Sequence, residues 1–244
     1  MQTNEKRMLY AGKAKQIYVA DDANQVIIRY KDDASAYNGI KRANIANKGV
    51  LNNKIASIIY QLLEQQGIRT HFIRRIDDRE QLCWRKTQMI RLEFIVRNFA
   101  AGSMARRLQI KEGTAFSHPI CEMCYKNDDL GDPIINDDHA VILGLSTYEE
   151  LNEIHPLVKK INQILIEIFG KIGVTLVDVK MEFGRLADGT LILADEISPD
   201  TTRLWDTATM ERMDRDRFRY DMGRIAEMYE EVLKRLETCV ISTS

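Results

Sequence analysis

Apolar and polar residues alternate by two over much of the first third of the chain. Ala14–Ala20 and Asn24–Lys31 read as strands joined by the polar turn Asp21-Asp22-Ala23-Asn24. A helical period then takes over. Ile45, Leu51, Ile55, Ile58, Ile59, Leu62 and Leu63 recur at helix spacing, so Asn44 to Gln65 is expected as a helix stopped by Gly67. Thr70–Ile76 and Gln81–Met89 return to strand, and Ile90 to Leu92 reads as a crossover. Leu92 to Ala100 is an apolar stretch that carries Glu93 and Arg97. Gly102-Ser103 opens a short helix, Met104 to Gln109, and Ile120–Tyr125 is a further strand. Ser146 to Glu150 offers overlapping capping boxes for a helix that Pro156 should kink or restart. Its stripe of Val158, Ile161, Leu165, Ile168 and Phe169 ends near Gly170. One last helix is expected from Asp214 to Leu236, with Phe218, Met222, Ile225, Tyr229, Val232 and Leu236 as its seam. The final seven residues, from Thr238, are expected to fray.

The stretch from Leu176 to Asp206 differs from the rest. Val177, Val179, Met181 and Phe183 alternate with Asp178, Lys180, Glu182 and Gly184, which sets three charges on one face of a strand. Ala187-Asp188-Gly189 supplies a turn, and the returning strand, Thr190 to Ile197, ends in Asp195-Glu196 before Ser198-Pro199-Asp200. A solvated surface hairpin also alternates in this way. Mixed signs on one face and a continuous apolar face point instead to a site. Glu182 and Asp195 brought together beside a lysine make a hard-cation pair suited to Mg²⁺–nucleotide chemistry.

Strands and helices without a repeating βα order imply an α+β fold of two lobes, with residues 1–89 as a small N-terminal sheet lobe and 90–244 as a larger lobe. A cleft between them is the usual home of a nucleotide. At 244 residues, 45% hydrophobic and 29% charged, the chain is ordinary for a soluble globular protein. Its net charge of −1 gives no electrostatic case for nucleic acid or acidic membrane partners. No apolar run is long enough to span a membrane and no signal-peptide core precedes the strands, so a cytoplasmic protein is expected. Cys121 and Cys124 spell C-x-x-C, but three-residue spacing on a strand points them to opposite faces. Two packed thiols are expected there, not a metal or redox pair.

Other groups carry weaker signals. Gly12-Lys13-Ala14-Lys15 leads into the first strand without being a Walker A or G-x-G-x-x-G loop, and Lys13 and Lys15 point to one side. Lys31 to Gly39 reads as a polar loop whose Asn38-Gly39 marks a turn; a mobile lid is the functional alternative. Arg97, Ser103 and Arg203 could grip an anion. Alternatively, Arg97 pairs with Glu93 and Ser103 serves only as an N-cap. Lys126 stands in Lys126-Asn127-Asp128-Asp129, either a plain turn or a lysine presented to a cleft.

Taken together, GKAK, KGVLNN at Lys48–Asn53, LEFIVRNFAAGS at Leu92–Ser103, YKNDDLGDP at Tyr125–Pro133, LVDVKMEFG and LADEISPDTTRLWD resemble the phosphoribosylaminoimidazole-succinocarboxamide synthase (SAICAR synthetase) family, in order, from about Tyr10 to Leu236. The resemblance implies a two-lobed fold whose N-terminal lobe is related to those of ATP-grasp and protein-kinase-like enzymes. It implies ATP-dependent ligation of L-aspartate to the carboxylate of carboxyaminoimidazole ribonucleotide, with Mg²⁺, in a homodimer. Residue by residue, Gly12, Lys13, Ala14 and Lys15 match the ATP-phosphate strand and Met89 the adenine hinge. Glu182 and Asp195 match the Mg²⁺ acids. Arg97, Ser103 and Arg203 match the ribonucleotide phosphate grip, and Asp178 and Lys180 match residues at the imidazole and its reacting carboxylate. Lys126 matches a lysine near the nucleotide. Ser35, Asn38 and Asp200 are expected at the aspartate pocket.

Arg91 stands where the family usually has proline, which puts the rigidity of the crossover in question but not the acids. Two other readings remain open at this point. A kinase-like phosphotransferase would share the lobes, strand lysine and metal acids, yet the Gly-rich kinase loop and H-R-D are missing. A non-catalytic nucleotide-binding module predicts the loss of some of Lys15, Lys180, Glu182 and Asp195, and all four are present.

Overall fold

The early alternating segments pair as an antiparallel meander. The computed structural model describes residues 7–37, 39–85 and 88–241. Strands β1 (Met8–Ala11), β2 (Lys15–Val19) and β3 (Gln25–Tyr30) run back and forth, with Gln25 N donating to Asp22 O at 3.0 Å across the predicted turn. The segment expected as a polar loop is a hairpin, β4 (Asp33–Ala36) with β5 (Lys41–Asn44), turning where Asn38-Gly39 was expected to turn. Asn38 itself lies outside the described residues.

Because β5 occupies Lys41–Asn44, helix α1 (Lys48–Gln65) starts four residues later than its periodicity suggests. Ile55, Ile59 and Leu63 are fully buried along it. Its end follows the left-handed glycine rule: Gly67 (φ 75°) donates to Glu64 O, and Ile68 N reaches Leu63 O at 3.0 Å. Strands β6 (Phe72–Arg75) and β7 (Glu80–Trp84) complete a five-stranded sheet in the order β1-β2-β3-β7-β6. The single strand expected to Met89 is broken after Trp84. Its last part, β8 (Gln88–Met89), pairs elsewhere.

The second sheet begins with β9 (Leu92–Phe99), and the short helix α2 (Gly102–Leu108) follows. Its N-cap is Ala101, with no side-chain bond, so Ser103 is not the cap. After β10 (Ala115–Tyr125), a 3-10 turn at Asp128–Leu130 and β11 (Ile134–Ile135) come α3 (Asp137–Ile142) and α4 (Tyr148–Lys171). Thr147 and Glu150 form the predicted capping box. Pro156 does not restart α4: the buried stripe Leu151, Ile154, Val158, Ile161, Leu165 and Phe169 runs through it against β12 and β9, and packing outweighs one missing donor.

Strand β12 (Val174–Arg185) is the axis of the molecule. Its first half lies between β9 and β14 (Thr202–Asp206), and its second half pairs with β13 (Leu191–Ala194) and β8. Leu186 N donates to Thr190 O and Gly189 N to Leu186 O in the Asp-Gly turn. Val177, Val179, Met181 and Phe183 are at most 1% exposed, while Asp178 and Glu182 on the other face are 4% and 1% exposed, so neither face is a solvated surface.

The single C-terminal helix is two: α5 (Asp216–Arg219) and α6 (Ile225–Ile241). Asp221, Gly223 and Arg224 take positive φ between them, and Met222 is left exposed instead of joining the seam. Tyr229, Val232 and Leu236 keep their places, and α6 packs on α1. Thr238–Ile241, expected to fray, are helical; residues 242–244 lie outside the described residues. No disulfide is formed among the described cysteines. Cys124 is buried, which pushes its thiol up to about 11, but Cys121 is exposed, so only one of the two thiols packs. Among the described residues no helix is long and apolar enough to cross a membrane.

Candidate active site

Sheet register decides which charges meet. Asp178 on β12 stands opposite Arg97 of β9 on one side and opposite Arg203 of β14 on the other. Arg97 Nη1 donates to Asp178 Oδ2 at 2.9 Å, and Arg203 Nη1 donates to the same oxygen at 2.6 Å. Arg97 Nε continues to Glu122 Oε2 at 2.6 Å, and Arg203 Nε to Asp216 Oδ2 at 2.8 Å. The alternative Arg97–Glu93 pair is not what forms; Glu93 accepts from Lys180 instead. Burial works against the Arg203 charge, but Asp178 and Asp216 more than offset it and hold the guanidinium above its ordinary value. Gly102 (φ 57°) makes room for it: a Cβ there would stand 2.4 Å from Arg203 Nη2 and 2.7 Å from its Cζ.

One strand step away the cations are lysines. Lys180 Nζ bonds Glu182, and it reaches Glu93 Oε1 at 3.1 Å and Asp195 Oδ2 at 3.2 Å. Lys126 takes the second oxygen of Glu182, and Lys15 of β2 bonds both Asp195 and Glu196. Consecutive strand residues would face opposite ways, but Asp195 leaves β13 in the left-handed region (φ 65°), so both acids face Lys15. Burial pushes the Asp195 carboxyl up, and the Lys15 and Lys180 ammoniums outweigh it, leaving the group well below the usual range. Glu196, buried beside that charge, is pushed up to about 7. Both lysines lose solvation yet are held well above their ordinary value by these acids.

These groups share one cleft of about 560 Å³. Gly12, Lys13, Ala14, Lys15, Ser35, Met89, Arg97, Ser103, Lys126, Asp178, Lys180, Glu182, Asp195, Asp200 and Arg203 all line it. Among the candidates only Asn38 is not placed, lying outside the described residues. Gly12 and Lys15 close a tight turn (Gly12 N to Lys15 O, 2.8 Å), and the exposed Lys13 pairs with Asp128 at 2.7 Å. The Asp200 carboxylate is fully engaged: Lys48 at 2.5 Å and Asn52 at 2.8 Å on one oxygen, Tyr229 at 2.8 Å on the other. Arg91 lies over the Tyr125 ring at 5.6 Å, and its carbonyl accepts from Lys126 N at 3.0 Å.

Several residues that line the cleft or support its wall escape sequence reasoning. Glu196 is hidden by strand alternation, and Asp216 and Arg215 by the reading of α5 as part of one long helix. Glu93 carried a usable signal, since it shares the Arg97 face of β9 at even spacing. Lys48 stands in the KGVLNN motif and is 1% exposed, and its pairing with Asp200 needed the fold. The acids of the cleft present hard oxygen donors. Among the described residues no three His, Cys, Asp or Glu side chains are grouped as a ready metal cage.

Comparison with known proteins points to one family. The SAICAR synthetase family model matches residues 8–236. The phosphoribosylaminoimidazole-succinocarboxamide synthase of Fusobacterium nucleatum subsp. nucleatum is 56% identical over 230 residues, covering 94% of this chain and 97% of that one. The crystal structure of the Ehrlichia chaffeensis enzyme superimposes with a TM-score of 0.92 at 45% identity, over 95% of this chain and 98% of that one. A SAICAR synthetase solved in complex with ADP gives a TM-score of 0.90 at 43% identity, over 93% and 96% of the two chains. With both motif order and fold retained over nearly its full length, the chain belongs to the SAICAR synthetase family, the ATP-dependent amide-forming ligases of purine biosynthesis.

Proposed function

We propose a division of labour within the cleft for joining L-aspartate to carboxyaminoimidazole ribonucleotide. A carboxylate is a poor electrophile. Phosphoryl transfer from ATP to the ribonucleotide carboxylate releases ADP and leaves an acyl phosphate; attack by the aspartate amine then forms the C–N bond, expels phosphate and loses a proton. The turn Gly12–Lys15 and Lys126 hold the nucleotide phosphates, with Met89 at the adenine. Arg97, Ser103 and Arg203 grip the ribonucleotide phosphate, while Asp178 and Lys180 orient the imidazole and its carboxylate. Ser35 borders the aspartate pocket, and Asp200 supports its wall through Lys48 and Tyr229. The single observation that carries this reading is the convergence of Lys15, Lys126 and Lys180 on Glu182 and Asp195 in one cleft.

Glu182 and Asp195 fit a Mg²⁺ ion: both offer hard oxygens to one point, now the Lys180 ammonium, and Mg²⁺ needs only one or two protein carboxylates beside phosphates and water. When bound, the ion supplies charge neutralisation for the transferred phosphoryl group. The relative solved with ADP supports the nucleotide assignment. We take residues 1–89 as the nucleotide lobe and 90–244 as the substrate lobe, since Gly12–Lys15 and Ser35 enter the cleft from the first and the acids from the second. We also propose a cytoplasmic homodimer, which fractionation and light scattering would test. The deciding assay is ADP release with carboxyaminoimidazole ribonucleotide, with and without L-aspartate. Turnover indifferent to both substrates would overturn the reading.

A further inference from the structure

The cleft holds one cation that its own acids do not satisfy. Among the described residues, every lysine that lines the cleft has a carboxylate partner, and so have Arg97, Arg203 and Arg219. Arg215 has none. Its Nε is enclosed without a hydrogen-bond partner, and Nη1 makes only a long 3.3 Å bond to the main-chain oxygen of Asp200. The nearby Asp200 carboxylate cannot turn to it, because Lys48, Asn52 and Tyr229 already take both oxygens. A guanidinium is always charged and presents a fork of donors, so an enclosed one without an acid is a place for an anion.

The Arg215 backbone is fixed. Its N–H donates to Pro199 O at 3.0 Å, and its carbonyl accepts from Phe218 and Arg219 at the start of α5. Phe218 in turn packs on Ala34 and Ala36 of β4, which flank the lining residue Ser35. Arg215 therefore stands on the wall shared by the Ser198–Asp200 turn and the β4–β5 hairpin. Under the reading above the cleft serves three anions: a nucleotide triphosphate, a ribonucleotide phosphate and the dicarboxylate aspartate. The lysines and the Arg97–Arg203 pair serve the first two under the reading above, which leaves aspartate without a cation.

Resting on that reading, we infer that Arg215 holds a carboxylate of the incoming L-aspartate and sets the enzyme's preference for a dicarboxylic amine. The carboxylates survive the reaction, so the contact serves binding and orientation and not bond making. Replacing Arg215→Gln is expected to raise the KM for L-aspartate by about tenfold or more while those for ATP and the ribonucleotide stay within about twofold. Arg215→Lys should recover part of the loss, since it restores charge but not the fork. L-malate, which keeps both carboxylates and lacks the amine, gives an independent readout: its inhibition of the wild type should weaken about tenfold in Arg215→Gln. Thermal melting of both variants separates misfolding from lost binding. If the ribonucleotide KM rises instead, Arg215 is a phosphate ligand and the inference falls. It also falls if folded Arg215→Gln keeps its aspartate KM and malate inhibition. The wild type is the control for the underlying reading: without aspartate-dependent ADP release, it is the ligase assignment that fails.

Discussion

Two kinds of cation serve the two ends of one charged strand face. At Asp178 the partners are arginines, at Glu182 they are lysines, and the two acids stand only four positions apart on β12. The arginine end is a fixed frame: both guanidinium forks meet Asp178 Oδ2, and each is tied behind by a second acid, Glu122 or Asp216. The lysine end is a set of point charges shared among Glu93, Glu182, Asp195 and Glu196, with Lys126 about half exposed. A planar fork suits an anion that must sit still, and an ammonium on a flexible stem suits phosphates that change partners. The difference teaches that, under the proposed roles, the arginine end should govern affinity and the lysine end turnover.

The sharpest way to break this contrast is at the acids of the lysine end. Glu182→Gln or Asp195→Asn should lower kcat by about 10³-fold or more, because charge neutralisation at the phosphoryl group is lost. Near-normal rates for either variant at ordinary Mg²⁺ would remove that acid from the metal site. The arginine end should respond differently. Arg203→Ala should raise the KM for the ribonucleotide by about 10²-fold with little change for ATP, and Arg203→Lys should fall between the two. An unchanged KM would move the phosphate grip elsewhere, and a collapse of kcat alone would erase the contrast.

A gentler variant tests the frame without touching a charge. Gly102→Ala forces a Cβ into the Arg203 guanidinium at a backbone angle that favours glycine. We expect a rise of about tenfold in ribonucleotide KM and a stability loss of about 1 kcal/mol. Gly131→Ala is the matched control. It has a similar φ of 70° and nothing within 4 Å of the added atom, so it should cost similar stability and leave KM unchanged. Equal kinetics in the two variants would show that the position of Arg203 does not matter.

What the sequence could reveal follows the range of the forces involved. Asp178, Lys180 and Glu182 could be set on one face because strand alternation is local, and the Thr147–Glu150 box and Gly67 stop are equally local. The pattern pointed to a hard cation at Glu182, and the roles of Asp178 and Lys180 came from the family resemblance. Partners were hidden wherever a backbone break or a distant pairing chose them. Strand β14 joins β12 through a register that neither segment carries alone, so the sharing of Asp178 by Arg97 and Arg203 was invisible. Glu196 was hidden by the left-handed Asp195, which cancels alternation. The seam through Met222 looked continuous because apolar spacing does not register the positive φ of Asp221 and Arg224.

The smallest expected effect sharpens the contrast by stepping outside the cleft. Arg185, at the end of the same β12, grips Glu150 at the start of α4 through Nε and Nη2, the latter at 2.7 Å, and neither residue lines the cleft. This is an arginine–carboxylate pair with a purely structural place, so Arg185→Met should leave all three KM values alone. The Arg185 hydrogen bonds are the chief cause of the depressed Glu150 carboxyl, which they bring down to about 2 against partial burial. A folded-state value below the unfolded one means the pair adds stability above pH ~4.5 and loses it as pH falls toward ~2. Both side chains are about one-fifth exposed, which keeps the gain near 1 kcal/mol, or about 2–4 °C in Tm at neutral pH. The melting difference between wild type and Arg185→Met should therefore be constant from about pH 8 to 5 and shrink below about 4.5. A difference that persists undiminished near pH 3, or a raised ribonucleotide KM, would show that arginines along β12 are not divided between frame and scaffold as their partners indicate.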